Sequence, residues 1–212
     1  MNKNYKLVND FKLSESLITD IKHMPWVDMV YTTVFDRQHV IDKYLKFRPA
    51  EYLSFAKTYG ICLQKIGSLV STKLPSNVEH EIQQKLIAVF DKQTADSAKI
   101  RLQILFSGSI FPLHIDQRTS ASMIYPVSHL TETSTNFYHH DEVDKLPRGV
   151  VNPAGCRLID SIQINDVPVL LNVDSIHSIT YKSGTLSKLN PRLSITIKWE
   201  TPNIYSQLVA NR

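Results

Sequence analysis

Residues 99–127, KIRLQILFSGSIFPLHIDQRTSASMIYPV, mark where the chain changes character. Before residue 98 the apolar residues recur at helical spacing. From Lys99 on they come in short runs parted by turn residues. Lys99 to Phe106 is one run, Ile110 to Ile115 a second and Ala121 to Val127 a third, with Ser107-Gly108 as a turn between the first two. Short apolar or alternating runs of this length are strands. Side chains on a strand alternate between its faces, so His114 and Asp116 point the same way and can grip one ion.

The same pattern continues downstream. Thr135 to His139, Cys156 to Ile164, Val167 to Asn172, Ile176 to Tyr181 and Arg192 to Glu200 each read as a strand. Asn165-Asp166, Ser183-Gly184 and Asn190-Pro191 read as turns. Eight short strands at fairly even spacing predict a double-sheet jelly roll. The stretch from His140 to Gly155 is longer and polar, with Pro147, Gly149, Pro153 and Gly155. A loop of that length in a compact domain reads as a lid or a binding loop.

Upstream, helices dominate. Ser76-Asn77-Val78-Glu79 reads as a capping box, and Val78, Ile82, Leu86, Val89 and Phe90 give an amphipathic helix over 77–91. Pro49 to Tyr59, closed by Gly60, and Ser14 to His23, stopped by Pro25, read as helices too. Val27 to Phe35 is β-branched and aromatic, the composition of a strand that joins the sheet from outside. The expected organisation is a single domain over 1–212. It comprises a mostly helical part (1–98), a β core (99–200) and a C-terminal tail (201–212).

Composition excludes several classes. Hydrophobic content of 42% and charged content of 21% belong to a globular chain and rule out a disordered or fibrous one. The net charge of +4 is spread along the whole length, so no basic run marks a nucleic-acid or polybasic membrane site. Cys62 and Cys156 lack metal-spaced neighbours, which argues against a thiolate zinc site. The first residues lack the apolar core of a secretory signal, and no apolar stretch approaches the roughly 18 residues of a membrane span. A soluble protein of a reducing cytoplasm is the expectation.

Chemistry concentrates in three fragments. His114-Ile115-Asp116 comes first. His177 follows 61 residues after Asp116, and Arg192-Leu193-Ser194 begins 15 residues further on. Two imidazoles and one carboxylate can cap one face of an octahedral iron(II) and leave three positions open; with no thiolate present, iron(II) suits the set better than zinc. Arg192 lies on a strongly apolar strand, where a guanidinium needs an anionic partner, and a small-molecule carboxylate is a good one. Ser194 shares its face. Blander readings are a structural histidine beside a turn aspartate and a solvated arginine beside Pro191. Asp174 is an alternative ligand, although its position where the chain reverses suits a turn residue. His139 and His140 read as a loop mouth, and Arg118 as a brace beside Asp116.

His-x-Asp, a distal His and Arg-x-Ser, in this order, resemble the iron(II)- and 2-oxoglutarate-dependent oxygenases, and most closely their prolyl-hydroxylase and aspartyl-hydroxylase-like branches. The resemblance spans residues 99–200, about half the chain. It implies a mainly β, cupin-like double-stranded β-helix with the N-terminal helices packed on one sheet. It implies iron(II) held by His114, Asp116 and His177, and 2-oxoglutarate as cosubstrate, its far carboxylate held by Arg192 and Ser194. Dioxygen is the co-reactant and ascorbate a candidate reductant. Tyr125, seven residues after Arg118, matches the spacing of a prolyl-hydroxylase tyrosine that donates to the same carboxylate, and reads equally as a core tyrosine. The implied reaction is hydroxylation of an amino-acid side chain, free or in a peptide or protein, with release of succinate and carbon dioxide. The alternative is a non-catalytic jelly-roll module that binds a metal or ligand. A small molecule or a peptide is the expected partner, with neither nucleic acid nor membrane, and the oligomeric state is open.

Overall fold

The runs that begin at residue 99 are strands, and they stack as two antiparallel sheets. The computed structural model describes residues 4–24, 69–105, 111–128, 133–181 and 192–210. In order these contain β1 (Tyr5–Leu7), α1 (Glu15–Lys22), β2 (Leu69–Thr72), α2 (Ser76–Val89), α3 (Lys92–Asp96), β3 (Lys99–Leu105), β4 (Phe111–Ile115) and β5 (Ala121–Ser128). Then follow β6 (Thr133–His139), β7 (Gly149–Val150), β8 (Arg157–Gln163), β9 (Val169–Asn172), β10 (Ile176–Tyr181), β11 (Arg192–Trp199) and α4 (Ile204–Ala210). The larger sheet has the order β1-β9-β5-β11-β3-β2 and the smaller β7-β4-β10-β6-β8. Neighbours in sequence such as β4 and β5, or β9 and β10, lie in different sheets, so the chain winds between them as a double-stranded β-helix. The predicted elements at 27–35 and 49–59 lie outside the described residues.

Alternation divides each strand between two environments. On β11, Leu193, Ile195, Ile197 and Trp199 face a core shared with Leu17 and Ile21 of α1, Val78, Ile82 and Leu86 of α2, and Ile204, Tyr205 and Leu208 of α4. These helices therefore cover the outer face of the larger sheet. Each such side chain contributes about 1.5–3 kcal/mol when fully buried, and Ile195→Ala would cost about 2–5 kcal/mol because the site cannot collapse. Trp199 is wholly buried. It packs edge-on to Phe90, and its indole N–H donates to the Thr94 carbonyl at 2.9 Å. Between the sheets lies a second cluster that includes Ile124, Phe137, Ile162, Val169 and Leu171.

The long polar stretch after His139 is anchored by its apolar residues. Val151 and Cys156 are buried against Leu113, Ile115, Tyr138 and Ile176, with Val143 and Leu146 packed alongside. The stretch thus covers the outer face of the smaller sheet, which would otherwise expose those apolar side chains to water. Burial pushes the Cys156 thiol up to about 11, so it sits there as an inert apolar group.

One local expectation needs correcting, and two gain detail. The capping box at Ser76 does not form: Pro75 is the N-cap, and its carbonyl accepts from the Glu79 N–H at 2.9 Å. Proline's fixed φ starts the helix one residue early. The C-terminal tail contains α4, whose Ile204, Tyr205 and Leu208 are buried. The part before residue 98 also supplies two strands, β1 on β9 and β2 on β3. The helix at residue 14 starts as read, with the Ser14 hydroxyl accepting from the Leu17 N–H at 3.3 Å. Among the described residues no helix is long and apolar enough to cross a membrane.

Candidate metal centre

His114 and His177 are register partners on the antiparallel strands β4 and β10, and their rings approach to 4.1 Å between centroids. The pairing shifts by one residue just beyond, where Ile179 meets Phe111. Asp116 follows the end of β4. Its N–H donates to the Val173 carbonyl at 3.2 Å, which docks it against the turn that leads to His177. Asp116 Oδ1 lies 3.3 Å from His114 Nε2 and 3.9 Å from His177 Nε2. One ligand atom from each residue falls within 4.8 Å of the other two.

Hydrogen bonding fixes how these groups face each other. His177 Nδ1 is 2.9 Å from the Ser175 carbonyl, which can only accept. Nδ1 therefore carries the hydrogen, and Nε2 presents a lone pair to Asp116. Burial, reinforced by the charge of His114, lowers the His177 pKa to about 3, so the ring is neutral at neutral pH. Burial works the other way on Asp116. The hydrogen bond from His114 and then the charges of Lys198, His177 and His114 outweigh it, and the carboxyl lies below the usual carboxylate range. A buried lone pair and a half-buried carboxylate thus face each other across 3.9 Å, an arrangement that a divalent cation satisfies. An ion about 2.1 Å from each donor needs donor spacings near 3 Å on one octahedral face, so Asp116 Oδ1 has to move closer to each histidine nitrogen by less than about 1 Å. Two nitrogens and one oxygen without sulfur fit iron(II) or a similar divalent ion.

The three side chains line a cavity of about 90 Å³ between the sheets, together with Gln103, Ser122, Ile124, Thr135, Leu171, Val173, Ile179, Arg192 and Lys198. Arg192 is buried and opens into this cavity, on the strand face predicted for it. Ser194 is buried on the same face and pairs in register with Gln103. Tyr125 does not reach the site. It packs edge-on to Phe11 on the helix side of the larger sheet, and its hydroxyl accepts from the Leu13 N–H at 3.3 Å. The reason is period two: Ile124 points into the cavity, so its neighbour points away.

Other expectations sort equally plainly. Asp174 is not part of the metal cluster; Arg148 Nη2 holds its carboxylate at 2.6 Å. His139 contacts Asp141 at 3.0 Å, and the His140 ring lies against Gly155; neither lines the cavity. Arg118 is exposed. Two residues at the site were not singled out from the sequence, Arg148 and Lys198. Lys198 had a signal, because it lies six residues after Arg192 and so shares its strand face. Arg148 had none. Beside it Gly149 sits at φ +112°, where other residues are strained. That turn lets β7 pair with β4, Val150 opposite His114.

The fold recurs in solved structures at low sequence identity. The epimerase SnoN, in complex with Fe3+, alpha-ketoglutarate and nogalamycin RO, superposes with a TM-score of 0.52 and 10% identity, over 92% of this chain and 78% of that one. HygX from Streptomyces hygroscopicus, with nickel and 2-oxoglutarate bound, gives 0.49 and 8%, over 94% and 83%. A Pseudomonas putida prolyl-4-hydroxylase gives 0.43 and 8%, over 95% of each chain. No protein-family model and no curated protein matches the chain. The likeness to SnoN establishes the cupin-like architecture. Fold and side chains together define a double-stranded β-helix protein with two histidines and a carboxylate gathered in its inner cavity.

Proposed function

We propose that the chain is an iron(II)- and 2-oxoglutarate-dependent oxygenase acting on an amino-acid side chain, free or in a peptide or protein. The observation that carries this reading is the opposition of the buried His177 Nε2 and the half-buried Asp116 Oδ1, in a cavity that also contains Arg192. His114, Asp116 and His177 would hold the metal. With 2-oxoglutarate and dioxygen, iron(II) held there would supply the oxidising power to break an unactivated C–H bond, with succinate and carbon dioxide released. The chain's own part is placement. Arg192 offers a planar two-pronged cation to a carboxylate, and Ser194 one further hydroxyl. Ile124, Leu171, Val173 and Ile179 make apolar walls that limit water around the reacting atoms. That SnoN and HygX have been seen with a metal ion and 2-oxoglutarate supports the choice of cosubstrate. The choice of an amino-acid substrate rests on the resemblance of His-x-Asp and Arg-x-Ser to the prolyl and aspartyl hydroxylases.

The test is succinate formation from 2-oxoglutarate with iron(II), ascorbate and dioxygen, screened against peptide and metabolite pools. Iron-dependent succinate that disappears in His114→Ala is the expected result. Tight 2-oxoglutarate binding with no turnover against any pool would favour the binding-module alternative.

A further inference from the structure

The two oxygens of Asp116 have different neighbours. Oδ1 is near both histidine nitrogens, whereas Oδ2 lies 3.7 Å from the ammonium of Lys198. Lys198 stands on β11 opposite Ser122 of β5, on the inner face, with about a third of its side chain exposed. Its side chain lines the cavity and stays partly in water. Glu200, two residues on, pairs with Lys99 at 2.6 Å, and the carboxylate within ion-pair distance of Lys198 is that of Asp116. Arg192 and Lys198 are six residues apart on one face, about 20 Å along an extended strand, so the two cations serve different parts of the site.

We propose that Lys198 is a positioning residue that keeps Asp116 a one-toothed ligand, with Oδ1 for the metal and Oδ2 for the ammonium. The proposal rests on the metal reading above and adds a consequence for coordination. If both oxygens of Asp116 took the ion, two histidines and a chelating carboxylate would fill four of six octahedral positions. Two would remain, enough for a two-pronged cosubstrate but not for dioxygen as well. With one oxygen engaged elsewhere, three positions remain. Lysine suits this task because it is a compact, mobile point charge that competes for an oxygen without adding a metal ligand.

The experiment compares wild type, Lys198→Met and Lys198→Arg loaded with cobalt(II), whose visible bands report coordination number. The proposal expects Lys198→Met to bind cobalt(II) at least as tightly as wild type, since a neighbouring cation is removed and a second carboxylate oxygen is released. It expects a changed cobalt(II) spectrum and 2-oxoglutarate binding weakened about tenfold or more, the scale on which partners of metal ligands act. Lys198→Arg should restore both. A merely structural lysine would give the opposite pattern: weaker cobalt(II) binding, a lower melting temperature and an unaltered spectrum, and that result overturns the proposal. So does a Lys198→Met protein identical to wild type in spectrum and cosubstrate affinity, which would leave the metal reading standing. Failure of the wild type to take up cobalt(II) at all would instead remove the metal reading and this proposal with it.

Discussion

Arg148 and Asp174 are joined at 2.6 Å, and the same guanidinium donates to the Asp116 carbonyl at 2.8 Å. One side chain from the stretch beneath the smaller sheet thereby ties the end of β4, which carries Asp116, to the turn before His177. Arg148→Met should lower metal affinity about 10- to 100-fold, because both ligand-bearing segments lose their common anchor. Stability should fall by only about 1 kcal/mol, since the bridge is partly exposed. Anaerobic metal titration beside urea denaturation checks both. A stability loss with unchanged metal affinity would make Arg148 an ordinary surface bridge.

His114→Ala and Asp116→Ala should each abolish iron(II) binding and leave the fold intact. Both side chains face the cavity rather than an apolar cluster, so neither deletion opens the hydrophobic core. Metal titration with far-ultraviolet circular dichroism separates the outcomes. Unfolding of both variants would mean that the cluster is structural.

Arg192→Lys should weaken 2-oxoglutarate binding about 10- to 150-fold, the cost of one strong charge-assisted hydrogen bond at about 1.5–3 kcal/mol. Lysine keeps the charge and loses the planar fit. Iron affinity should hardly change. The charge-transfer band of the anaerobic iron(II) complex, followed during 2-oxoglutarate titration, gives the answer. Equal affinities would mean that another residue holds the cosubstrate.

Tyr125→Phe should leave that titration unaltered. Its hydroxyl serves Leu13 on the far side of the sheet, so the change costs about 1 kcal/mol of stability instead. A clear drop in cosubstrate affinity would return Tyr125 to the site.

Acid should destabilise the protein over a definite window. His177 titrates at about 3 when folded, against 6.5 for the free side chain. Between these values the unfolded chain binds a proton that the folded one does not. Stability is therefore fully present above about pH 6.5 and falls on acidification, by at most about 1.4 kcal/mol per pH unit. Asp116, depressed below the usual carboxylate range, adds a loss of the same sign in more acidic solution. Urea unfolding in the presence of a chelator should show roughly 2 kcal/mol less stability at pH 5 than at pH 7, and His177→Leu should flatten that slope. An equal slope in the variant would assign the effect to other groups.

The β core was legible because strand alternation is a strong signal. The eight strands expected from Lys99 to Glu200 all appear with boundaries moved by at most two residues, and Ile176–Tyr181 is unchanged. The gathering of His114, Asp116 and His177 followed from spacing plus resemblance. Parity on β11 put Arg192 in the cavity and, applied once more, would have put Lys198 there. The same rule applied at Ile124 would have turned Tyr125 away. What stayed hidden has little local signal. β7 is two residues long and depends on a glycine at positive φ. β1 has three residues and exists by pairing with β9. α4 is stabilised by the buried faces of Ile204, Tyr205 and Leu208. The polar run after His139 gave no sign of its packing because its few apolar residues lack periodicity, although Val151 and Cys156 are what anchor it.

The pairing of His177 with His114, one step before the shift in register, has a meaning for how the chain folds. A slip of β10 by a single residue would turn His177 outward and bring Ile176 into the cavity, dispersing the donor set. A cation held only by the correctly aligned strands would stabilise that alignment by RT ln(1 + [L]/Kd), about 2.7 kcal/mol at a hundredfold excess over Kd, and would do nothing for the slipped one. The ion would then act as a proofreader of strand pairing as well as a reagent.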